Sequence, residues 1–476
     1  MAKQYPILVG GRAVTTSEEV QVKNPYDQTV VGATCLAGEA EAEEAIACAA
    51  ASFADTRKMP PMDRATVLQN IASGIAQRAE EMAQMITLEA GKPLLNARQE
   101  VQRSVFTFQY AAEEAKRPAG EIIPLDIHPL GKGHTCFVKR FPIGPVLGIT
   151  PFNFPLNLVA HKVAPAIAAG NPIVMKPAPQ APLTALLLGE IIKNSGWPVK
   201  AFSAIPTTNG IAERMAADER FKMLSFTGSS AVGWRLKNKA GKKKVTLELG
   251  GNAGAIVHSD ANLEYAAERI TAGGFGYAGQ TCISVQRIFV QETVYESFKA
   301  IFLKKVVALK TGNPMDETTA VGPLISLRDV HRIEEWIKEA VADGAKLLCG
   351  GDVNGSVMAP AVLENTTARM KVNCMELFGP VVTLTPYGRI EDALTAVNGS
   401  DFGLQAGIFT NDLKIAFMAW ETLDVGGVNI GNVPTFRMDH MPYGGVKNSG
   451  LGREGLRWAI EEMTEPRNMV INLPDL

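Results

Sequence analysis

Cys282 stands in the run Gly276-Tyr277-Ala278-Gly279-Gln280-Thr281-Cys282-Ile283-Ser284, among small residues where backbone can close on a substrate. A cysteine so placed is a candidate covalent nucleophile, although a free cysteine among glycines is also, by its ordinary behaviour, a small buried hydrophobe. Two distant segments favour the chemical reading. In Val245-Thr246-Leu247-Glu248-Leu249-Gly250-Gly251 a lone carboxylate, Glu248, ends a β-branched and leucine-rich run just before a double glycine. In Thr150-Pro151-Phe152-Asn153-Phe154-Pro155-Leu156-Asn157 an amide, Asn153, is locked between two prolines directly after the apolar run Val146 to Ile149. Together these residues offer a thiol, a general base and a donor for a developing oxyanion.

Composition bounds the setting. At 476 residues the chain has room for two or three domains with their own cores. With 46% hydrophobic and 20% charged residues and a net charge of -2, it reads as an ordinary globular protein. That balance gives no field for gathering nucleic acid or an anionic membrane, and the one sharp basic run, Lys242-Lys243-Lys244, reads as a solvated turn before a strand. The six cysteines (Cys35, Cys48, Cys136, Cys282, Cys349, Cys374) show no CxxC pairing, which points to a reducing compartment. No segment has signal-peptide or membrane-spanning character, so a cytoplasmic location is expected. The histidines lack metal-ligand spacing, and no metal site is expected.

The elements that must position the trio alternate. Residues 40–54 and 60–93 read as helical, the second with Val67, Ile71, Ile75, Met82 and Ile86 on one face. Apolar runs at 146–150, 172–175, 201–205, 223–226 and 245–249 then alternate with helical stretches such as 184–194, which predicts a parallel sheet covered by helices. A second series at 288–290, 381–385, 407–410 and 427–430 predicts a second α/β unit. Strand-like pieces at 121–124, 135–140 and 467–472 stand outside the alternation, and their unpaired edges are of the kind that homo-oligomers cover. Phe226-Thr227-Gly228-Ser229-Ser230-Ala231-Val232-Gly233 ends a strand and opens a helix, so its first N–H groups can face a phosphate. It has neither the Gly-Lys-Ser/Thr ending of a P-loop nor GxGxxG spacing, which argues against nucleotide hydrolysis.

The ordered trio, with Met175-Lys176-Pro177, Phe226-Thr227-Gly228-Ser229, Glu376-Leu377-Phe378-Gly379-Pro380 and Pro442-Tyr443-Gly444-Gly445-Val446-Lys447-Asn448-Ser449-Gly450, resembles the aldehyde dehydrogenase superfamily from about residue 5 onward. The resemblance implies an α/β fold with two Rossmann-like parallel-sheet domains and a small β oligomerisation extension. The expected bounds are 1–119 and 142–249 for dinucleotide binding, 250–462 for catalysis, and 120–141 with 463–476 for oligomerisation, giving a homodimer or homotetramer. It also implies NAD(P)-dependent oxidation of an aldehyde to its carboxylate through a thiohemiacetal and a thioester on Cys282, with water activated by Glu248. The cofactor side is expected to use Thr150, Lys176, Phe226, Thr227, Gly228, Ser229, Gly233, Leu249, Glu376 and Phe378. Where many NAD-preferring relatives carry a ribose-binding glutamate this chain has Pro179, so NAD or NADP is expected, with the balance tilting to NAD.

On the substrate side the resemblance places Arg103, Arg437 and Thr281. The two arginines occupy positions where relatives acting on small anionic aldehydes bind the anion, and a guanidinium fork suits that task; the competing reading pairs both with internal carboxylates. Thr281 and Phe154 stand where the phosphonoacetaldehyde branch has an arginine and a histidine, and the similarity is instead to the lactaldehyde, sulfolactaldehyde and semialdehyde group. A small polar or anionic aldehyde is the expected substrate. The alternatives are a CoA-acylating enzyme, which usually lacks the hydrolytic base, and a non-catalytic structural relative, which would not need the whole trio.

Overall fold

The computed structural model describes residues 3–117 and 120–472; residues 1–2, 118–119 and 473–476, which fall within the expected domain bounds, lie outside the described residues. The first unit is built on an eight-stranded sheet whose five central strands are parallel. From Val146–Ile149 the chain steps outward to Ile173–Lys176 and Phe202–Ala204, then returns to the other side of Val146–Ile149 with Met223–Thr227 and Lys244–Glu248. Strand order therefore reverses between Val146–Ile149 and Met223–Thr227, and a doubly wound sheet opens a crevice at the carboxyl ends of its strands at such a point. Side chains alternate across this sheet. Val146, Ile173 and Met223 face the core under the helices Pro61–Gln77, Leu94–Ala115 and Asn157–Ala169, while Leu147, Val174 and Leu224 face the core under Glu39–Thr56, Asn209–Ala217 and Ser230–Lys239.

A seven-stranded sheet forms the second unit. Its strands Ala361–Glu364, Val381–Tyr387, Val285–Gln291, Ala253–Val257, Gln405–Phe409 and Gly427–Ile430 are parallel, and Lys346–Cys349 is an antiparallel edge. Ala253–Val257, at the heart of this sheet, has no counterpart in the sequence reading, because the run Ala-Gly-Ala-Ile-Val carries neither alternation nor bulk. The predicted helix over 60–93 is two helices, Pro61–Gln77 and Ala79–Ala90, meeting at Arg78. All five residues of its predicted face are buried, so the period survives a one-residue kink and does not reveal it. A third sheet pairs Gly120–Pro124 with His134–Pro142 and His134–Pro142 with Thr464–Asn472, all antiparallel. Residues 450–463 return to the first unit: Gly450–Leu451 pairs with Leu247 and Glu248, and Leu456 and Met463 join the first core.

One helix links the core to the site. Every residue of Asn157–Ala169 is buried, and its amino end is covered by Glu100, whose Oε1 accepts from the backbone N–H of Leu156 and Asn157 at 2.9 and 3.0 Å. A carboxylate suits the positive end of a helix. Glu100 also pairs with the fully buried Lys92, whose ammonium lies 3.5 Å from the ring centre of Phe154 and 4.6 Å from that of Tyr277. The pair thus braces both the Asn153 loop and the turn before Cys282. Removing one member of a buried ion pair leaves the other charge uncompensated. Glu100→Ala is therefore expected to lower unfolding free energy by about 3–5 kcal/mol, and Lys92→Met added to it to recover part of that loss, as read by urea denaturation.

Candidate active site

Glu248 is the last residue of its strand, at the carboxyl edge where the first sheet opens. The double glycine that follows carries the chain across to the second unit; both make close approaches, and Gly251, which meets main chain, is required by its own. A Cβ on Gly250 would strike the Glu376 carboxylate, and one on Gly251 would strike the carbonyl oxygen of Cys282 closer than any real Cβ contact. The strand end and the cysteine loop therefore meet backbone to backbone. Gly251 N–H also donates to Glu376 Oε1 at 3.0 Å, which brings a third segment to the same point.

The cysteine loop is held in a costly conformation. Tyr277 and Ala278 lie in the left-handed region at φ 51° and 52°, and Gly279 follows at φ 69°. Such values cost roughly 1–2 kcal/mol for each non-glycine residue, so surrounding contacts must impose them. Tyr277 donates its hydroxyl to the Ala90 carbonyl at 2.9 Å, and Gln280 donates to the Pro323 carbonyl at 3.2 Å while accepting from Ile325 N–H at 2.9 Å. Gly279 has no room for a side chain against the Gly379 carbonyl, next to Phe378, itself at φ 50°. Asn153 Nδ2 donates one hydrogen to the Gln280 carbonyl at 3.0 Å, which fixes its orientation and leaves a second N–H; its Oδ1 is buried without a partner.

These segments line a cavity of about 270 Å³. It is lined by Cys282, Glu248 and Asn153 of the predicted trio, and by Arg103, Thr281 and Arg437 of the predicted substrate side. Leu249, Glu376 and Phe378 complete the overlap with the predicted cofactor side. Through Thr227, Gly228 and Ser229 it runs into a second cavity of about 420 Å³, lined by Thr150, Lys176, Pro179 and Phe226. Gly233 lines neither; a side chain there would strike Leu249 and Phe226, so it serves helix-to-strand packing.

Electrostatically the site is set by burial. Burial pushes the Cys282 thiol up to about 11, against the opposing effect of a hydrogen bond from Tyr443 and the charge of Arg437. Glu248 has neither carboxyl oxygen hydrogen-bonded, and burial followed by the like charge of Glu454 holds it well above the usual carboxylate range. Burial also raises Glu376 to about 7 and lowers Lys176 to about 8. Glu454 behaves oppositely: burial would raise it, but Lys162 at 3.0 Å, His161 and Arg437 hold it ionised. Both substrate-side arginines do pair internally. Arg103 grips Asp439 through two hydrogen bonds of 2.7 and 3.0 Å, and Arg437 meets Glu454 at 3.3 Å. Each still lines the cavity, and Nε of Arg437 is buried with no partner.

Sequence reasoning passed over the charges behind the trio. Lys162, His161, Asp439 and Glu454 are all buried, and a lysine in the apolar run Val159 to Ala169 was the visible signal for the first. Tyr443 was seen only as part of a motif.

The crevice fits a dinucleotide. It lies at the reversal point of the first sheet, beside the amino end of the helix Ser230–Lys239, where Ser229 makes no side-chain cap bond. Thr150 Oγ1 is buried without a partner, and Lys176 forms no ion pair among the described residues. Under-partnered buried polar groups of this kind are complementary to hydroxyl and phosphate oxygens.

Comparison with known proteins agrees. The aldehyde dehydrogenase family pattern matches residues 13–469. A 3-sulfolactaldehyde dehydrogenase of Priestia aryabhattai is 44% identical over 99% of this chain and 98% of its own length. A lactaldehyde dehydrogenase of Methanococcus aeolicus is 40% identical over 96% of this chain and 97% of its own. Among solved structures, aldehyde dehydrogenase 21 of Physcomitrella patens in complex with its reaction product succinate superposes with a TM-score of 0.98 at 45% identity, covering 100% of both chains. The NADP complex of a glyceraldehyde-3-phosphate dehydrogenase of Methanocaldococcus jannaschii gives 0.93 at 39% identity, over 96% of this chain and 100% of its own.

The chain belongs to the aldehyde dehydrogenase family. It is an oxidoreductase that oxidises an aldehyde with NAD or NADP as acceptor. The approach of Gly251 to Cys282 makes this glycine a sensitive probe of the site. Gly251→Ala is expected to lower kcat/KM by about a hundredfold, the order that a misplacement of about 1 Å produces, in a protein whose circular dichroism is unchanged.

Proposed function

We propose that the enzyme oxidises a short polar or anionic aldehyde to its carboxylate, with Cys282 as nucleophile, Glu248 as general base, and the Asn153 amide with the Cys282 backbone N–H as oxyanion donors. The observation that carries this reading is a single cavity lined by Cys282, Glu248, Asn153 and Arg437, in which both Glu248 carboxyl oxygens and Arg437 Nε have no hydrogen-bond partner within the protein. Attack of the Cys282 thiolate on the aldehyde carbon gives a thiohemiacetal whose oxygen is received by preorganised donors, each worth about 3–4 kcal/mol of barrier. The bound dinucleotide supplies the hydride acceptor. Glu248 then takes a proton from the water that cleaves the thioester on Cys282. A base whose affinity for protons is raised toward the operating pH is effective in that role.

For the cofactor, Lys176 and Ser229 are assigned to the adenosine ribose and the pyrophosphate, with Thr150, Phe226, Thr227 and Gly228 framing them. Leu249, Glu376 and Phe378 are assigned to the nicotinamide end. Pro179 puts no carboxylate against a 2′-phosphate, which is consistent with either dinucleotide. Hydrolysis rather than transfer to CoA is favoured by the buried, hydrogen-bond-free carboxyl of Glu248. Arg437, with Arg103 and Thr281, is assigned to the substrate; relatives named for lactaldehyde and sulfolactaldehyde support a polar or anionic aldehyde of that size. The dinucleotide-binding, catalytic and oligomerisation bounds given above follow the same reading.

The three-stranded sheet supports a homodimer or homotetramer, since it exposes Ile122, Ile123, Phe137, Met469 and Val470. Six free cysteines fit a reducing, cytoplasmic setting, and among the described residues no helix is long and apolar enough to cross a membrane.

Two experiments test this reading. Glu248→Gln is expected to keep the initial burst of reduced cofactor in stopped flow while steady turnover falls by about 10²–10⁴-fold, the range for a lost general base; in the parent enzyme turnover rises with pH as Glu248 ionises, and the variant loses that limb. Arg437→Met, assayed on a panel of anionic and neutral aldehydes with both dinucleotides, is expected to raise KM by about tenfold or more for the anionic members, the order of one charged hydrogen bond, and little for neutral ones. An unchanged preference across the panel would remove the anion from the proposal.

A further inference from the structure

Tyr443 belongs to none of the roles above, yet its hydroxyl is the polar group nearest the sulfur. Oη of Tyr443 lies 3.1 Å from Cys282 Sγ. The ring is buried at 4% exposure and packs with Ile283 and Leu404, and its face is covered by the Arg437 guanidinium, 3.6 Å from the ring centre. Its backbone is fixed on both sides by reciprocal hydrogen bonds with Glu454, N–H to carbonyl at 3.0 and 2.6 Å. A cation on the ring face attracts the π-electrons and makes the phenol a better donor. Position, rigidity and donor strength all converge on one atom.

We propose that the Tyr443 hydroxyl is a catalytic donor that stabilises the ionised form of Cys282 by a hydrogen bond, setting the fraction of nucleophile available before any aldehyde binds. The inference rests on the reading of Cys282 as the nucleophile.

The direction of this bond follows from the chemistry of the two atoms. A thiolate has lone pairs only, so once Cys282 is ionised the phenol must be the donor. Burial keeps the phenol itself protonated far into the alkaline range. Around the sulfur the balance of charges is divided: Tyr443 and Arg437 favour the thiolate, whereas burial and the carboxyls of Glu376 and Glu248 oppose it. Tyr443 is the one member of this set in hydrogen-bond contact with the sulfur, so its removal leaves burial and the two carboxyls to dominate.

The bond has two opposed effects on reactivity. Lowering a thiol by one unit gives about ten times more thiolate below the midpoint, but each thiolate becomes less nucleophilic by about threefold, since nucleophilicity follows basicity with a slope of roughly 0.4–0.5. The net gain below the midpoint is about threefold. As the sulfur–carbon bond forms, the lone pair moves into that bond and charge passes to the aldehyde oxygen, which faces Asn153. The phenol keeps its proton throughout, and the thiol proton leaves for solvent or Glu248.

The experiment is alkylation of the protein by iodoacetamide, without aldehyde or dinucleotide, followed across pH with the Cys282 peptide quantified by mass spectrometry. Sulfur displaces iodide from carbon, so the rate reports thiolate fraction and nucleophilicity together. Tyr443→Phe keeps the ring, its packing and the Arg437 stack. It is expected to raise the midpoint by one to two pH units, the order of a hydrogen bond to a charged group. At a fixed pH below the midpoint the alkylation rate should fall about threefold per unit of that shift. Replacement of Tyr443 by a site-specifically encoded fluorotyrosine, a stronger donor of nearly the same shape, is expected to move the midpoint the other way, which keeps the test open should the phenylalanine variant fold poorly. An unmoved midpoint in both variants would overturn the proposal and leave Tyr443 a packing residue. The parent reading fails separately: if protein alkylated at Cys282 still oxidised aldehydes at full rate, the nucleophile would be elsewhere whatever the midpoints showed.

Discussion

The site depends on two backbones meeting with nothing between them. Gly250 and Gly251 carry the chain from the end of the Glu248 strand against the Glu376 carboxylate and the Cys282 carbonyl, the second at a distance that excludes any Cβ. Because the strand end belongs to the first sheet and the cysteine loop feeds the second through Val285–Gln291, this contact is also where the two units join. A doubly wound sheet opens at the carboxyl ends of its strands wherever strand order reverses. Here the second unit closes over that opening, so the position of Glu248 and Cys282 relative to each other is set by main chain rather than by flexible side chains. The cost appears as strain nearby, in the left-handed Tyr277, Ala278 and Phe378, and is offset by the buried hydrogen bonds that pin the same turn.

A second layer of organisation is electrostatic. Deep in the first unit Lys92 balances Glu100; behind Glu248, Lys162 and Arg437 balance Glu454; Arg103 balances Asp439, to which the buried His161 adds a hydrogen bond. Each cluster is paired internally, as buried charges must be. Glu248 alone among these acids has both oxygens buried without a hydrogen bond. That contrast is what the proposed role of Glu248 as general base rests on, the other acids being held by their partners. Arg437 belongs to both cluster and cavity, since it pairs with Glu454, stacks on Tyr443, lines the cavity and has its Nε without a partner.

Much of this was readable in the chain. Alternating apolar runs located the five central strands of the first sheet to within a residue or two, because strands buried on both faces are continuous apolar segments with clear ends. Cys282, Glu248 and Asn153 stand out because each is a reactive group in a stretch made mostly of small, proline or apolar residues. What escaped had physical reasons. Ala253–Val257 is too small and featureless to declare itself, and the kink at Arg78 leaves the helical period intact. The return of residues 450–463 to the first unit depends on pairing across about two hundred residues, which no local pattern encodes. The partners of Arg103 and Arg437 were anticipated as a class, carboxylates, but Asp439 and Glu454 could be named only once the folded chain had brought them within reach.

That returning strand bears on how the protein is made. Glu248 finds its outer neighbour, Gly450, only after the whole second unit has been synthesised, and His134–Pro142 waits still longer for Thr464–Asn472. Early in synthesis the nascent first unit therefore lacks the strand that covers its Glu248 edge, and such an unpaired edge is prone to mispairing until it is covered. Sequence-distant closure of this kind slows the final folding step, and it ensures that no truncated product carries an assembled reaction centre.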